Sequence, residues 1–160
     1  MEMIILMGLQ ASGKSTFYLT HFAATYEHIS KDLLRASKNK NKKQAELIER
    51  AFQEQRSVVV DNTNATILDR LPLIDLGRRY GAKIIGYYFQ PDVLSSRKRN
   101  IQRTGKAQVP EVAIFITAHK FTPPSYAEGF DTLYYVRIAE DSTAENPEWE
   151  IEEIPFEIED

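Results

Sequence analysis

The sequence predicts an α/β domain in which helices flank a central parallel sheet of about five strands. Short apolar and β-branched runs alternate along the chain with longer amphipathic segments, which is the pattern of βαβ units. The length of 160 residues suits one domain, and a hydrophobic content of 42% is enough to build its core.

The strands are expected where a short apolar run ends at a turn residue. The first run, residues 3–7, carries no charge and leads into Gly8, so it indicates a buried parallel strand rather than a signal peptide. The third is a run of valines that ends at Asp61. The five expected strands cover residues 3–7, 26–29, 57–60, 83–89 and 131–138.

The helices are expected where apolar residues recur at intervals of three and four. This spacing is clearest in residues 44–55. Pro72 suits the first turn of a helix, and Gly81 suits the stop that follows Tyr80. The expected helices cover residues 14–25, 31–36, 44–55, about 72–80, 92–103 and 111–121, with a flexible loop at 104–110.

Composition excludes several classes of chemistry. The chain has no cysteine, so disulfides, thiolate zinc sites, iron–sulfur clusters and cysteine nucleophiles are ruled out. Its three histidines are scattered without the spacing of metal ligands, and no apolar run approaches the roughly 18 residues of a membrane span. We therefore expect a cytoplasmic domain with no membrane association.

The formal charge of −3 is divided unevenly along the chain. All 20 Lys and Arg lie in residues 1–138 together with 13 of the 23 Asp and Glu, so this part carries +7. The other ten acidic residues lie in residues 139–160. We expect residues 1–138 to form the folded domain, with a charge that allows a polyanionic substrate, and residues 139–160 to form an acidic tail.

Residues 8–15 fit the phosphate-binding pattern G-x-x-x-x-G-K-[ST] between an expected strand and an expected helix. Glycines let successive N–H groups turn toward phosphate oxygens, and the helix directs its positive end at the same oxygens. Lys14 is expected to reach the β- and γ-phosphates of a nucleotide, and Ser15 to ligate Mg²⁺. The residues expected to bind ATP here are Gly8, Gln10, Ala11, Ser12, Gly13, Lys14, Ser15 and Thr16.

A carboxylate and an arginine follow the second strand. Asp32 and Arg35 are three residues apart, so on a helix they share a face near the carboxyl end of a strand, where open α/β sheets bind ligands. A carboxylate there can accept a hydroxyl proton, and an arginine can hold a phosphate. A solvated ion pair within the helix is the other interpretation.

Two further segments carry polar chemistry. Asp61 ends an apolar strand in the manner of a Walker B motif, and either it is a turn residue or it orients Mg²⁺, water or Arg35. Arg99 and Arg103 are four residues apart in a basic helix that leads into a glycine-containing loop. Phosphoryl transfer needs cations that close over the transferring phosphate, so this segment is either a mobile lid or a solvated basic face.

The size and the motifs favour a small P-loop kinase. The N-K-x-D guanine signal of GTPases does not occur, and the chain is short for a motor ATPase. The molecule that accepts the phosphoryl group could be a polynucleotide, a metabolite or a nucleotide sugar. An ATP-binding regulatory module without phosphotransfer is the alternative from a different class.

Together these segments resemble the 5′-kinase domain of polynucleotide kinases over roughly residues 3–138. The resemblance is carried by the phosphate loop with Thr16-Phe17, residues 31–35 (KDLLR), residues 61–64 (DNTN), the lid at 98–110 and residues 120–130 with their AEGF stretch. It implies a P-loop fold close to that of nucleoside monophosphate kinases. It also implies Mg·ATP-dependent transfer of the γ-phosphate to a 5′-hydroxyl end of RNA or DNA.

The resemblance also implies a role for each candidate residue. Lys14 and Ser15 would bind the ATP phosphates and magnesium, and Asp32 would be the general base. Arg35 would bind the acceptor's neighbouring phosphate, Asp61 would bind substrate and support Arg35, and Asn62 would also bind substrate. Arg103 with Arg99 would contact the transferring phosphate from the lid. Nucleic-acid 5′ ends are therefore the expected partners.

The tail contains apolar residues that a purely solvated segment does not need. Trp149 is one of them, and residues 154–158 alternate apolar and polar side chains as a strand does. We expect part of the tail to dock on the body, either as an added edge strand or across the acceptor groove. Tyr126 and Phe130, upstream of the tail, are either core residues or aromatic platforms for a base.

Overall fold

The computed structural model of the chain describes residues 1–34 and 38–156. Six strands and five α-helices lie in these residues. The strands are β1 (Glu2–Met7), β2 (Glu27–Ile29), β3 (Val58–Asp61), β4 (Lys83–Phe89), β5 (Thr132–Ile138) and β6 (Trp149–Ile154). The helices are α1 (Lys14–His21), α2 (Lys40–Gln53), α3 (Ile67–Arg79), α4 (Val93–Gln102) and α5 (Glu111–Lys120). None of these helices has both the length and the apolar character needed to cross a lipid bilayer.

The six strands form one sheet in the order β2-β3-β1-β4-β5-β6. Strand β1 lies in the middle and pairs in parallel with β3 and β4, and the pairs β2–β3 and β4–β5 are also parallel. The predicted parallel sheet of five strands is confirmed. Because the carboxyl ends of parallel strands share one edge of the sheet, the segments that follow β1, β2 and β3 lie side by side.

Strand β6 is a sixth, antiparallel strand made by the acidic tail. It pairs with β5, so that Trp149 lies opposite Ile138 and Ile154 lies opposite Leu133. This is the edge-strand form of tail docking. The alternation of apolar and polar residues predicted a strand at residues 154–158, whereas β6 ends at Ile154. Residues 157–160 fall outside the described part of the chain.

The core lies on both faces of the sheet. Ile48 and Phe52 of α2 pack on one face together with Leu73 of α3, and Phe17 of α1 and Phe22, which follows α1, pack on the other. Two more aromatic residues belong to the core on the face covered by α2 and α3. Phe130 is buried in it, and Tyr126 packs against it while donating a hydrogen bond to Ile154 O at 2.5 Å. Both are therefore core residues, not exposed platforms for a base.

Helix α3 begins earlier than predicted. Its first turn is closed by a capping box in which Thr66 Oγ1 accepts from Asp69 N at 3.1 Å and Asp69 Oδ2 accepts from Thr66 N at 3.2 Å. Pro72 therefore lies inside the helix, where it removes one backbone hydrogen bond, and not in the first turn. The capping box outweighs the proline as a start signal.

The region after β2 also differs from prediction. In place of a helix over residues 31–36, the structure has a single 3-10 turn at Lys31–Leu34, and Arg35 and Ala36 lie outside the described residues. Helix α2 starts at Lys40 because Asn39 Oδ1 caps it by accepting from Lys42 N at 3.1 Å. The first turn of α2 has no apolar residue, so apolar spacing alone missed it.

A buried ion pair fixes the segment that precedes β5. Arg70 of α3 is fully buried, and its guanidinium donates to both carboxylate oxygens of Glu128 at 2.8 and 3.1 Å. It also donates to the backbone carbonyls of Asn64 and Thr122 at 3.0 and 2.9 Å. One side chain thus joins α3, the loop after β3 and the AEGF stretch.

Candidate active site

The loop between β1 and α1 has the backbone of a phosphate cradle. Ala11 and Gly13 both have positive φ angles, 58° and 94°, which turn successive N–H groups toward one side. Gly8 N donates to Thr63 O at 3.0 Å, so the loop is tied to the segment after β3. A Cβ atom at Gly8 would lie 2.9 Å from Phe89 Cβ, and a side chain cannot be accommodated there.

Lys14 is folded back across this loop. Its Nζ donates to Leu9 O at 2.7 Å and to Gly8 O at 3.1 Å, and the side chain is buried. Burial lowers the pKa of Lys14 from 10.5 to about 8, although the nearby carboxylate of Asp61 opposes the shift. The ammonium group is therefore held inside the loop, where the oxygens of a bound phosphate would oppose this lowering of its pKa.

A chain of hydrogen bonds joins the loop to β2 and β3. Ser15 Oγ donates to Asp61 Oδ2 at 2.8 Å, and His28 Nε2 lies 2.8 Å from the same oxygen. The imidazole ring of His28 stacks on Tyr18 at 4.1 Å. Burial alone would raise the pKa of Asp61, but the hydrogen bond from His28 and the charge of Lys14 lower it below its usual value.

His28 is the site residue that sequence reasoning missed. In the sequence it is one of three scattered histidines, and spacing along the chain does not reveal that β2 and β3 are neighbours. Their parallel pairing places His28 opposite Val59, two residues before Asp61. The sequence signal for this pair is a histidine near the end of one expected strand and an acid at the end of the next.

The loop opens into a cleft of about 530 Å³. Charged groups of both signs line it, and Asp32 and Arg103 are near enough to Lys14 to influence its pKa. The polar and charged residues that line the cleft include Gln10, Ser12, Lys14, Ser15, Lys31, Asp32, Asp61, Asn62 and Arg103. Ala11 also lines it.

Asn62 positions the turn that carries Asp32. Its Oδ1 accepts from Lys31 N at 2.9 Å, and its Nδ2 donates to Gln44 Oε1 of α2 at 2.7 Å. The Asp32 side chain itself is exposed at the cleft. Arg35, the predicted partner of Asp32, lies outside the residues that the structure describes.

The predicted lid, residues 98–110, consists of the second half of α4, a 3-10 turn at Gly105–Ala107 and the residues that lead into α5. Asn100 holds it together, because its side chain donates to Val109 O at 2.8 Å and accepts from Val109 N at 2.9 Å. Arg103 lies between Asn100 and Val109 in the chain and lines the cleft. Its Nη1 donates to Ala107 O at 3.3 Å.

Arg99 contacts the back of the phosphate loop. Its Nη1 donates to Ala11 O at 2.9 Å, and burial lowers its pKa. Arg99 lines a separate small cavity of about 140 Å³ behind Ser12, between the ends of β4 and β5 and the start of α4. Arg103 and Arg99 thus approach the loop from different sides, and Thr16 is exposed on α1 outside both cavities.

The oxygen ligands in the cleft fit Mg²⁺. Ser15 and Asp61 present a hydroxyl and a carboxylate 2.8 Å apart, and Mg²⁺ is usually held by one or two such groups together with substrate phosphates. Among the described residues no group of three His, Cys, Asp or Glu could hold a metal by itself. A shared ion between protein and nucleotide is therefore the arrangement that these residues fit.

The phosphate loop, the sheet order and the cleft are those of a nucleotide-binding α/β domain. Residues 3–124 match the AAA domain family, which is more than half of the chain. The chain belongs to this family. The AAA match ends before β5, so β5 and the acidic strand β6 lie beyond it.

Relatives and solved structures that are similar to this chain confirm its resemblance to P-loop kinases. The chain is 33% identical over 136 residues to the bifunctional polynucleotide phosphatase/kinase of Schizosaccharomyces pombe. The aligned region covers 82% of this chain and 32% of that protein. It spans about a third of the length of the curated relatives it matches.

Two solved structures confirm the fold. A fungal RNA kinase superposes with a TM-score of 0.66 at 21% identity, covering 89% of this chain and 78% of that one. A gluconokinase from Sinorhizobium meliloti 1021 superposes with a TM-score of 0.62 at 18% identity, covering 87% and 83%.

Proposed function

We propose that this domain is an ATP- and Mg²⁺-dependent kinase that transfers the γ-phosphate to a 5′-hydroxyl end of RNA or DNA. The observation that carries the proposal is the cleft itself. It is lined by a phosphate loop with a buried lysine, by an exposed carboxylate at Asp32 and by a lid arginine at Arg103. Positioned charges of this kind are the main requirement of phosphoryl transfer.

The ATP side of the site consists of the loop and Lys14. The backbone N–H groups of the loop bind phosphate oxygens, and the Lys14 ammonium moves from the carbonyls of Gly8 and Leu9 to the β- and γ-phosphates. Ser15 and Asp61 would hold Mg²⁺. The ion, when bound, offsets the negative charge of the phosphates.

On the acceptor side, Asp32 is the general base. The 5′-oxygen of the acceptor forms a bond to the γ-phosphorus, the bond from that phosphorus to the β–γ bridging oxygen breaks, and ADP leaves. The hydroxyl proton passes to Asp32 late in the transfer. Asn62 holds the turn that carries Asp32 in place, and Arg35 binds the phosphate next to the reacting hydroxyl.

Arg103 contacts the transferring phosphate from the lid. The Asn100–Val109 hydrogen bonds hold together the segment that contains Arg103. Arg103 therefore moves with α4 and α5 when the lid closes. Arg99 supports the loop by binding Ala11 O. Residues 1–138 hold these groups, and we assign the kinase function to them, with residues 139–160 as an acidic addition.

A polynucleotide acceptor is favoured by two observations. The curated S. pombe relative carries polynucleotide phosphatase/kinase in its name. Residues 1–138 also carry +7, which favours a polyanion. A metabolite acceptor is the second candidate, because the gluconokinase shares the fold.

Transfer from radiolabelled ATP to a 5′-hydroxyl oligonucleotide tests the proposal, with the 5′-phosphorylated oligonucleotide as control. We expect label on the first and none on the second, in RNA, DNA or both. Lys14→Ala should abolish the signal, and Lys43→Ala, an exposed lysine on α2, should not. Transfer to small alcohols alone would favour a metabolite kinase. ATP binding without any transfer would favour a regulatory module.

A further inference from the structure

The acidic strand β6 brings the tail to the nucleotide side of the domain. The strand starts at Trp149, which lies opposite Ile138, the last residue of β5. Because β5 is parallel to β1, its carboxyl end lies at the same edge of the sheet as the phosphate loop. The first residue of β6 therefore lies at the edge of the sheet that carries the loop.

Trp149 contacts the helix that begins at the loop. Its indole ring packs edge-on against Phe17 at 5.2 Å and against His21 at 5.4 Å. A Cβ atom placed on Gly13 would lie 3.9 Å from Trp149 Nε1 and 3.8 Å from Ile138 Cδ1. The indole N–H is thus within van der Waals reach of the residue that caps α1.

The indole N–H is available to a ligand. Trp149 is half-buried, and over residues 1–34 and 38–156 its Nε1 takes part in no hydrogen bond and is not among the buried unpaired atoms. An indole N–H is a donor only, so an acceptor must come from water or from a bound molecule. The phosphates and sugar of a nucleotide are rich in such oxygens.

We propose that Trp149 is a nucleotide-binding residue and that the start of β6 borders the ATP site beside Gly13. The indole lies along the bound nucleotide beside Gly13, and its N–H donates to a nucleotide oxygen. This inference rests on the proposed nucleotide binding by the phosphate loop. It places the start of the acidic strand β6 beside the nucleotide. Asp32 and the acceptor side instead follow β2, the outermost strand on the other side of the sheet.

The position of β6 argues against the other form of tail docking. Strands β3, β1, β4 and β5 lie between β2 and β6, so residues 149–154 cannot cover the acceptor groove near Asp32. Glu150 of the tail is paired with Arg137 of β5 at 3.1 Å, so part of its charge is compensated locally. Loss of the tail should therefore change the handling of ATP, not of the acceptor.

Intrinsic fluorescence tests the inference directly, because Trp149 is the single tryptophan of the chain. The intact protein is titrated with Mg·ADP while tryptophan emission is recorded, and the dissociation constant is measured independently by calorimetry. We expect a saturable change in emission that gives the same constant, and protection of Trp149 from acrylamide quenching at saturation.

A variant separates contact from mere proximity. Trp149→Phe keeps an aromatic ring against Phe17 and removes the N–H, and we expect Mg·ADP to bind about three- to tenfold more weakly by calorimetry. The KM for a 5′-hydroxyl oligonucleotide should stay unchanged. Phe156→Leu, which alters an exposed tail aromatic packed on Tyr126, is the matched control and should bind Mg·ADP normally.

The outcomes distinguish the two proposals. If calorimetry detects Mg·ADP binding while emission stays constant and Trp149→Phe binds with unchanged affinity, Trp149 is a packing residue only and this inference is wrong. The proposed function survives that result. If calorimetry detects no nucleotide binding to the unaltered protein, both proposals are wrong.

Discussion

His28 Nε2 and Asp61 Oδ2 are 2.8 Å apart, so the carboxylate that receives the Ser15 hydroxyl is held from a second side by an imidazole. Outer-shell partners of this kind orient the groups that bind a metal and its phosphates. The pair also joins the ends of β2 and β3, and residues that follow both strands line the cleft.

We expect His28→Phe to lower phosphotransfer about 10- to 100-fold and to raise the Mg²⁺ concentration needed for half-maximal rate. Phenylalanine keeps the stacking on Tyr18 and removes the hydrogen bond, which is one of the contacts that lower the pKa of Asp61. The acid limb of the kcat profile should therefore move to higher pH. His119→Gln, at an exposed histidine of α5, should leave the rate and the profile unchanged.

Asp32→Asn should leave ATP affinity intact and lower kcat by about 10²–10⁴, because an amide keeps the shape of the side chain but cannot accept the hydroxyl proton. Single-turnover transfer and calorimetric ATP binding measure the two quantities. Asp75→Asn, at an exposed acid on α3, provides the comparison. A loss of only a few-fold would make Asp32 a structural residue of its turn.

The lowered pKa of Lys14 predicts a pH effect on ATP binding. Because burial lowers this pKa to about 8, the free domain loses the ammonium charge as pH rises through that value, and ATP affinity should fall there. Lys14→Arg stays charged at alkaline pH and should not show this step. Calorimetric titrations across this pH range check the difference.

The same pKa predicts how stability depends on pH without nucleotide. Between pH 8 and 10.5 the unfolded chain holds a proton on Lys14 that the folded chain has lost, so this group makes the free energy of unfolding rise with pH. Urea denaturation of the intact protein and of Lys14→Met isolates the contribution. The variant should lack that rise, and equal slopes would contradict the shifted pKa.

Arg70→Met should lower the free energy of unfolding by about 3–5 kcal/mol, because it leaves the carboxylate of Glu128 buried without its cation. Replacing both partners, as in Arg70→Met with Glu128→Leu, should recover much of the loss. Arg78→Met breaks the half-exposed pair with Asp131 and should cost about 1 kcal/mol or less. Urea denaturation gives all three values.

The parts of the site that lie on one continuous segment could be predicted from the sequence. The phosphate loop is an example, because the glycines, Lys14 and Ser15 act through the local backbone between one strand and one helix. The cleft also contains Asp61, which ends β3, and Asp32, in the turn that follows β2; the topology of parallel sheets brings such residues together.

The parts that depend on pairing between distant segments could not be predicted. His28 gains its role only when β2 lies beside β3, and Arg99 reaches Ala11 only through the packing of α4 on the loop. Pro72 misled the prediction for α3, since a local capping box decides where that helix starts. The alternation in the tail indicated a strand but not its partner, its direction or its place beside Gly13.

The acidic character of β6 has a consequence for how the chain behaves in concentrated solution. An edge strand offers unpaired N–H and C=O groups to any other chain, and proteins discourage that contact with charged side chains. Glu150, Glu152 and Glu153 lie along the outer strand of this sheet and repel a second copy of the same edge. Without β6, the strand β5 with Tyr134 and Tyr135 would become the edge, so removal of the tail should expose a surface that drives aggregation.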